Sequence, residues 1–153
     1  LDRALANYDG EVEVYHHAYE LDEAAEGVSS AVSRLGEKYG IDDDAVLSMM
    51  EDVAEVAASE QLNYRLPETL HGNTNLAHRL VAAAATVGLS HALLQRLFHA
   101  YFEQAEAVFS ADDLRPHAQA AGMPSRGSVP SGMWMLAAGM STWLKSWSCM
   151  KRQ

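Results

Sequence analysis

Seven histidines and one cysteine are the residues of this sequence best suited to metal binding or nucleophilic chemistry. A helical zinc site typically pairs two histidines four residues apart, and no two histidines here have that spacing. His16 and His17 are adjacent, so on a strand their side chains would point to opposite faces and would not share one metal. The pattern predicts surface or packed histidines, and neither a metal site nor a cofactor site.

Cys149 is the single thiol of the chain, and its neighbours include Lys145, Lys151 and Arg152. Nearby cations lower the pKa of a thiol and favour the reactive thiolate. One thiol can form a mixed disulfide, but repeated thiol–disulfide exchange also needs a resolving thiol. We interpret Cys149 as an incidental free cysteine, and we predict no catalytic residue in this chain.

Composition and charge narrow the classes of protein to which the chain can belong. With 153 residues and 48% hydrophobic residues it is long enough for one domain with a core. Residues 1–123 carry all 21 acids and 7 of the 11 Lys and Arg residues, and such an acidic surface disfavours nucleic-acid binding. No apolar stretch approaches the ~20 residues of a membrane span. We expect a cytoplasmic protein that contacts neither nucleic acid nor membrane.

Local patterns predict the end of a helix over Leu1–Tyr8, closed by a turn at Asp9-Gly10, then one strand and then a series of helices. Acidic residues and valines alternate at the start of residues 11–21, which predicts a half-buried strand from Val12 to Ala18 and no other strand. Helical spacing begins at Val28, and Gly122 ends the last helix. Five helices are expected, with starts or caps at Val28, Asp42, Asn73 or Thr74, Ser90 and Ser110. Apolar residues predict the buried face of the second of these helices: Val46, Met49 or Met50, Val53 and Val56.

Two features of the chain after Ser110 depart from this regular pattern. Pro116 lies inside the fifth predicted helix and removes one hydrogen bond, so we expect that helix to be distorted or short. Residues 124–153 contain no acid, and all three tryptophans lie between residues 131 and 153. Their apolar positions fit neither a helical nor a strand period. We hypothesise that this tail, unlike the body, is translated out of frame.

Several short segments resemble the DsbA-like thioredoxin-fold family. The run Asn73–Leu80 reads Asn-Thr-Asn-Leu-Ala-His-Arg-Leu and is similar to the Asn-Thr-x-x-Ala-His-Arg-Leu motif of the FrnE-type branch. The run Leu97–Phe102 is similar to that branch's Leu-Phe-x-Ala-Tyr-Phe signature. The segment Ala18–Asp22 resembles the end of the family's second strand. The segment Leu35–Gly40 is similar to the Lys-Tyr-Gly end of one of the family's helices. The resemblance covers about residues 1–123.

The resemblance implies a thioredoxin fold interrupted by a helical insertion, with thiol–disulfide exchange on protein substrates as the usual activity. It divides the chain into a thioredoxin-like remnant (1–24), the helical insertion domain (25–123) and the tail (124–153). The expected fold is therefore predominantly α, with one residual strand. The family's Cys-x-x-Cys and cis-proline loop have no counterpart in these 153 residues, so we expect a truncated relative that is inactive alone.

The resemblance also supplies candidate binding residues and two alternative functions. In relatives the helix opened by Asn73 and Thr74 borders the active-site groove, so these residues and His78 are candidates for substrate binding; helix capping is the competing explanation for the first two. One alternative is a relative of glutathione-dependent isomerases, such as 2-hydroxychromene-2-carboxylate isomerase, or of kappa-type transferases. The other is a non-catalytic helical binding module. Apolar helix faces without a covering sheet predict self-association into a homo-oligomer.

Overall fold

The computed structural model describes residues 2–124, and these are predominantly helical as expected, with 56% helix and 5% strand. Residues 125–153, which include nearly all of the predicted tail and Cys149, lie outside the described residues. The division of the chain at residues 24 and 123 stays a prediction. None of the described helices is both long enough and apolar enough to cross a membrane.

Six α-helices, two short strands and two single helical turns make up the described chain. In order these are α1 (Asp2–Ala6), β1 (Val28–Ser30), α2 (Ala31–Tyr39), α3 (Asp43–Ser59), a 3-10 turn (Leu66–Glu68), β2 (Leu70–Gly72), α4 (Asn75–Ala85), α5 (Ser90–Phe98), a π-helical turn (His99–Glu103) and α6 (Ala111–Ala120). The strands pair antiparallel, with Val28 opposite Gly72 and Ser30 opposite Leu70.

The predicted strand from Val12 to Ala18 is wrong. No helix or strand forms between residues 8 and 27, and the side chains of Val12, Val14 and Tyr15 are exposed. A strand needs a neighbour to satisfy its backbone hydrogen bonds, and none of the described chain runs beside this segment as a paired strand. In place of the one predicted strand, the described chain contains the short strands β1 and β2.

The first of the five predicted helices begins three residues later than expected. Residues Val28–Ser30 pair with β2, and the amide of Ala31 then donates to the carbonyl of Thr69. Two consecutive serines favour extended backbone and helix caps over a helix interior, which explains the shift. The predicted end is correct, because Gly40 adopts the left-handed conformation with φ 68° and its amide bonds to Gly36.

The buried face of α3 is only partly as predicted. The cap is confirmed, since the Asp42 carboxylate accepts from the amide of Ala45 at 2.8 Å. The buried residues are Val46, Met50 and Ala57, whereas Met49, Val53 and Val56 are exposed. Spacings of four and seven residues place the three buried residues on one face of the helix.

The main apolar core lies between α4, α5 and α6. Leu93 and Ala84 are fully buried in it, and the residues that complete it are Ala77, Leu97, Val108, Leu114 and Ala121. Ser110 begins α6 through the expected capping box, in which Ser110 and Asp113 bond each other's backbone amides. Helix α6 is ten residues long and includes Pro116, so the proline does not end it. Leu114, before the proline, and Ala121, at the end of the helix, are both buried in the core.

Candidate functional site

The N-terminus of α4 is the place where the predicted binding residues meet the rest of the fold. β2 ends at Gly72, and Asn73 and Thr74 connect it to the first residue of α4, Asn75. The amide of Asn75 donates to Asn73 Oδ1 at 2.9 Å, while Thr74 occupies the cap position without a capping bond from its side chain. Asn73 therefore satisfies a free helix amide, and the Thr74 hydroxyl is not used in that way.

The segment before β1 approaches this helix N-terminus through polar contacts. Asn75 Nδ2 donates to Glu20 Oε2 at 3.0 Å, and Asn73 Nδ2 donates to the Glu23 carbonyl at 3.4 Å. The second carboxylate oxygen, Glu20 Oε1, is buried and has no hydrogen-bond partner within residues 2–124. The segment before β1 is thus attached to the N-terminus of α4 by hydrogen bonds from Asn73 and Asn75.

Asp22 adds a second attachment, to α2 and to β2. Its Oδ2 atom accepts from Arg34 Nη2 at 2.9 Å and lies 3.2 Å from His71 Nε2. The hydrogen bond from Arg34 lowers the pKa of the Asp22 carboxyl most, the contact with His71 lowers it further, and partial desolvation opposes both. We call Glu20, Asp22, Arg34, His71, Asn73 and Asn75 the α4 N-terminal cluster.

Two aromatic side chains contact β2, which carries His71 of this cluster: Tyr101 of the second family-like segment, and Phe109, which follows that segment. The Tyr101 hydroxyl donates to the Leu70 carbonyl at 2.6 Å, and burial raises the pKa of Tyr101. Phe109 packs so closely on Gly72 that a Cβ atom there would lie 2.9 Å from its Cγ. Only glycine fits at this position without a shift of the aromatic ring.

His78, the third predicted binding residue, lies one helical turn after Thr74. Its amide donates to the Thr74 carbonyl at 3.0 Å, and its side chain is half-buried. Residues four apart share a helix face, so Thr74 and His78 are on the same side of α4. A role of Asn73, Thr74 or His78 in substrate binding stays a prediction.

The polar partners Glu20, Asp22, Arg34 and His71 were not among the predicted site residues. Asp22 and His71 are 49 positions apart in sequence, so no local spacing links them. The available signal was the family-like segment Ala18–Asp22, which contains both acids. That segment resembles the end of the family's second strand, and the resemblance does not indicate that its acids contact α2, β2 and α4.

The remaining histidines form no metal site in the described part of the chain. His16 and His91 stack with ring centroids 5.8 Å apart. His99 and His117 lie 3.2 Å from Glu103 and Glu106, respectively. No group of three or more His, Cys, Asp or Glu side chains is arranged to hold a metal ion within residues 2–124.

Comparisons with known proteins converge on one family. Residues 1–131 match the family of DSBA-like thioredoxin domains. The structure is similar to that of a probable DsbA oxidoreductase from Streptomyces coelicolor, with a TM-score of 0.77 and 29% sequence identity. The similarity covers 90% of this chain and 58% of the Streptomyces chain, so this chain spans little more than half the length of that protein. No curated protein matches the sequence.

Proposed function

Since this chain belongs to the DSBA-like thioredoxin domain family, a family of thiol–disulfide oxidoreductases, we propose that it is the helical, substrate-contacting part of such an oxidoreductase. The substrates are protein thiols and disulfides. Residues Asn73, Thr74 and His78, at the start of α4, contact them. The family-like runs at Asn73–Leu80 and Leu97–Phe102 support the FrnE-type branch.

The observation that carries this proposal is that the Thr74 hydroxyl makes no capping hydrogen bond to α4. Capping was the competing explanation for both polar residues before α4, and Asn73 alone provides a side-chain bond to the helix amide. Thr74 and His78 then offer a hydroxyl and an imidazole on one helix face, next to the free amides of a helix N-terminus. These groups suit hydrogen bonding to the backbone of an extended peptide.

The 153-residue chain by itself performs no exchange turnover under this proposal. Exchange begins when a thiolate attacks a disulfide sulfur, which forms a mixed disulfide and releases one thiolate. For the chain to complete the exchange by itself, a second thiolate of the same chain then attacks the mixed disulfide and releases the substrate. Cys149 is the only cysteine of this sequence, so the second step has no attacking group within the chain. By itself the chain then only binds protein substrates. In this respect it would act as the non-catalytic helical binding module that is the second alternative function.

A binding experiment without thiol chemistry tests the assignment of the site. The probe is a fluorescein-labelled insulin B chain whose cysteines are alkylated, and fluorescence anisotropy measures its affinity for the full chain. We expect Thr74→Ala to weaken binding by about two- to tenfold, because one net hydrogen bond is lost. Thr74→Ser keeps the hydroxyl and the affinity.

The matched control is Thr86→Ala at the other end of α4. The Thr86 hydroxyl donates to the Ala83 carbonyl, so this variant removes a hydroxyl of the same residue type from the same helix. Unchanged affinity in Thr86→Ala with weaker binding in Thr74→Ala supports the site. Equal affinities of the Thr74→Ala and unmodified chains, or no binding of the probe to either, would contradict it.

A further inference from the structure

Three exposed apolar side chains form a stripe along α3. Its members are Met49, Val53 and Val56, whose exposures are 49%, 51% and 69%, and we call them the α3 stripe. Their spacing of four and three residues places them within one narrow face of the helix. This face borders the one that α3 buries, because Val53 follows the buried Met50 by three positions and precedes the buried Ala57 by four.

Negative charge borders the α3 stripe. Asp52 follows Met49 by three positions and precedes Val56 by four, so it is a surface neighbour of both. Helix α3 contains five acidic residues and no Lys or Arg. Glu60 follows Val56 by four positions and continues the line of the stripe at the C-terminal end of the helix.

One cation already occupies the C-terminal end of this face. Arg3 of α1 donates from Nη1 to the Glu60 carbonyl at 2.8 Å and lies 3.3 Å from Glu60 Oε2. A helix C-terminus carries partial negative charge, and the last turn of α3 supplies no basic residue to offset it. A guanidinium group therefore binds at this end of the α3 stripe, next to apolar side chains.

We propose that the α3 stripe is a docking surface for a basic amphipathic helix of a partner protein. Such a helix presents apolar side chains at matching four- and three-residue spacing, with a Lys or Arg beside them to pair with Asp52. The other four carboxylates of α3 lie on other faces of the helix and contribute only longer-range attraction. A second copy of this chain is a poorer occupant, because its α3 stripe would bring the same carboxylates into apposition. The surface is distinct from the proposed substrate site at α4.

Two synthetic peptides of equal length test the surface with the full chain. Both are fluorescein-labelled and carry leucines at the matching spacing; the remaining exposed positions are lysine in the basic peptide and glutamate in the acidic one. Fluorescence anisotropy should show saturable binding of the basic peptide only, weakening as salt is added. Equal binding of both peptides, or no binding of the basic peptide, would overturn the proposal.

Variants of α3 separate the apolar and the electrostatic contributions. The double variant Val53→Ser with Val56→Ser should weaken binding of the basic peptide by about tenfold or more, and the charge reversal Asp52→Lys should weaken it as well. The control is Val87→Ser, which changes a valine with 39% exposure after the end of α4 and should leave the affinity unchanged. Equal losses in all three variants would contradict a site on α3.

The self-association alternative has its own readout. Sedimentation velocity over a range of concentrations measures whether the unmodified chain dimerises and whether the Val53→Ser, Val56→Ser variant does not. A concentration-dependent dimer that requires these valines and excludes the basic peptide would assign the surface to a second copy and overturn the proposal. A monomer, or a dimer that persists in the double variant while the peptide still binds, agrees with it.

Discussion

The region α4–α6 and the segment before β1 are held in the fold by opposite kinds of contact. The three helices enclose fully buried apolar side chains, Leu93 and Ala84 among them. The segment at residues 7–27 leaves its apolar side chains in solvent, with Leu21 91% exposed. It attaches through Glu20, Asp22 and the Glu23 carbonyl, and through the stacking of His16 on His91. Apolar burial therefore stabilises the helical region, whereas polar pairing only positions the segment.

The largest expected effect comes from a cavity in the helical region. Leu93→Ala removes most of a fully buried side chain, and we expect it to lower the free energy of unfolding by about 2–5 kcal/mol. Urea unfolding followed by far-ultraviolet circular dichroism measures the change. Leu21→Ala, the same substitution in the segment, should leave the unfolding midpoint unchanged; equal effects of the two would remove the contrast between the regions.

A second effect follows from the contact between Gly72 and Phe109. Gly72→Ala places a methyl group against the Phe109 ring, and we expect about 1–3 kcal/mol of destabilisation from the forced shift. The double variant Gly72→Ala with Phe109→Leu provides room for the methyl group. It should lose less stability than the sum of the two single variants, and strict additivity in thermal unfolding would show that the two residues do not compete for space.

Acid should weaken the start of α6. Bonds from the Ser110 backbone and side chain, and from the Phe109 amide, lower the pKa of the Asp113 carboxyl in the folded protein. Because the folded pKa is the lower one, the ionised carboxylate stabilises the fold above its unfolded pKa of about 3.9, and this stabilisation is lost as the pH falls through the folded pKa.

The variant Asp113→Asn should remove this pH dependence. We expect it to cost at most about 1 kcal/mol at neutral pH, after allowance for solvent screening, and to cost less below about pH 4. Thermal unfolding at a series of pH values checks both parts. A constant difference between Asp113→Asn and the unmodified chain across that pH range would contradict the role assigned to the carboxylate.

The smallest effect on global stability is expected at Asp22. Asp22→Asn weakens the pairing with Arg34 and His71, so residues 7–27 should be cleaved faster by a protease while the unfolding midpoint of the helices stays the same. Glu11→Gln changes an exposed carboxylate of the same segment and serves as the control. A clear fall in the unfolding midpoint of Asp22→Asn would show that the segment is part of the cooperative core.

Local contacts could be predicted from the sequence, and long-range contacts could not. The caps at Asp42 and Ser110 depend on residues three positions apart, and both are as predicted. The strand prediction at Val12–Ala18 failed because period-two alternation does not show whether a partner strand is present. The contact of Asp22 with His71 spans 49 positions, so it depends on how β2 and the segment meet in three dimensions.

The resemblance predicted the family, which the comparisons confirm, and the position of the candidate site, which stays a prediction; it did not predict the polar partners at that position. The run Asn73–Leu80 identified both the family and the N-terminus of α4, and Thr74 proved to be the residue at the cap position. The buried face of α3 was harder to predict, because Met49 and Met50 are adjacent and either fits an apolar spacing. The structure buries Met50 and leaves Met49 exposed, on a helix that packs against both α2 and the 3-10 turn.

The central claim is that this chain binds protein substrates without turning over their disulfides, and an insulin-reduction assay tests it most directly. The full 153-residue chain and its Cys149→Ser variant are each mixed with insulin and dithiothreitol, and precipitation of the reduced B chain is followed by turbidity. We predict that neither protein accelerates precipitation above the rate with dithiothreitol alone. Catalytic acceleration by the unmodified chain would contradict the claim, most strongly if it persists in Cys149→Ser.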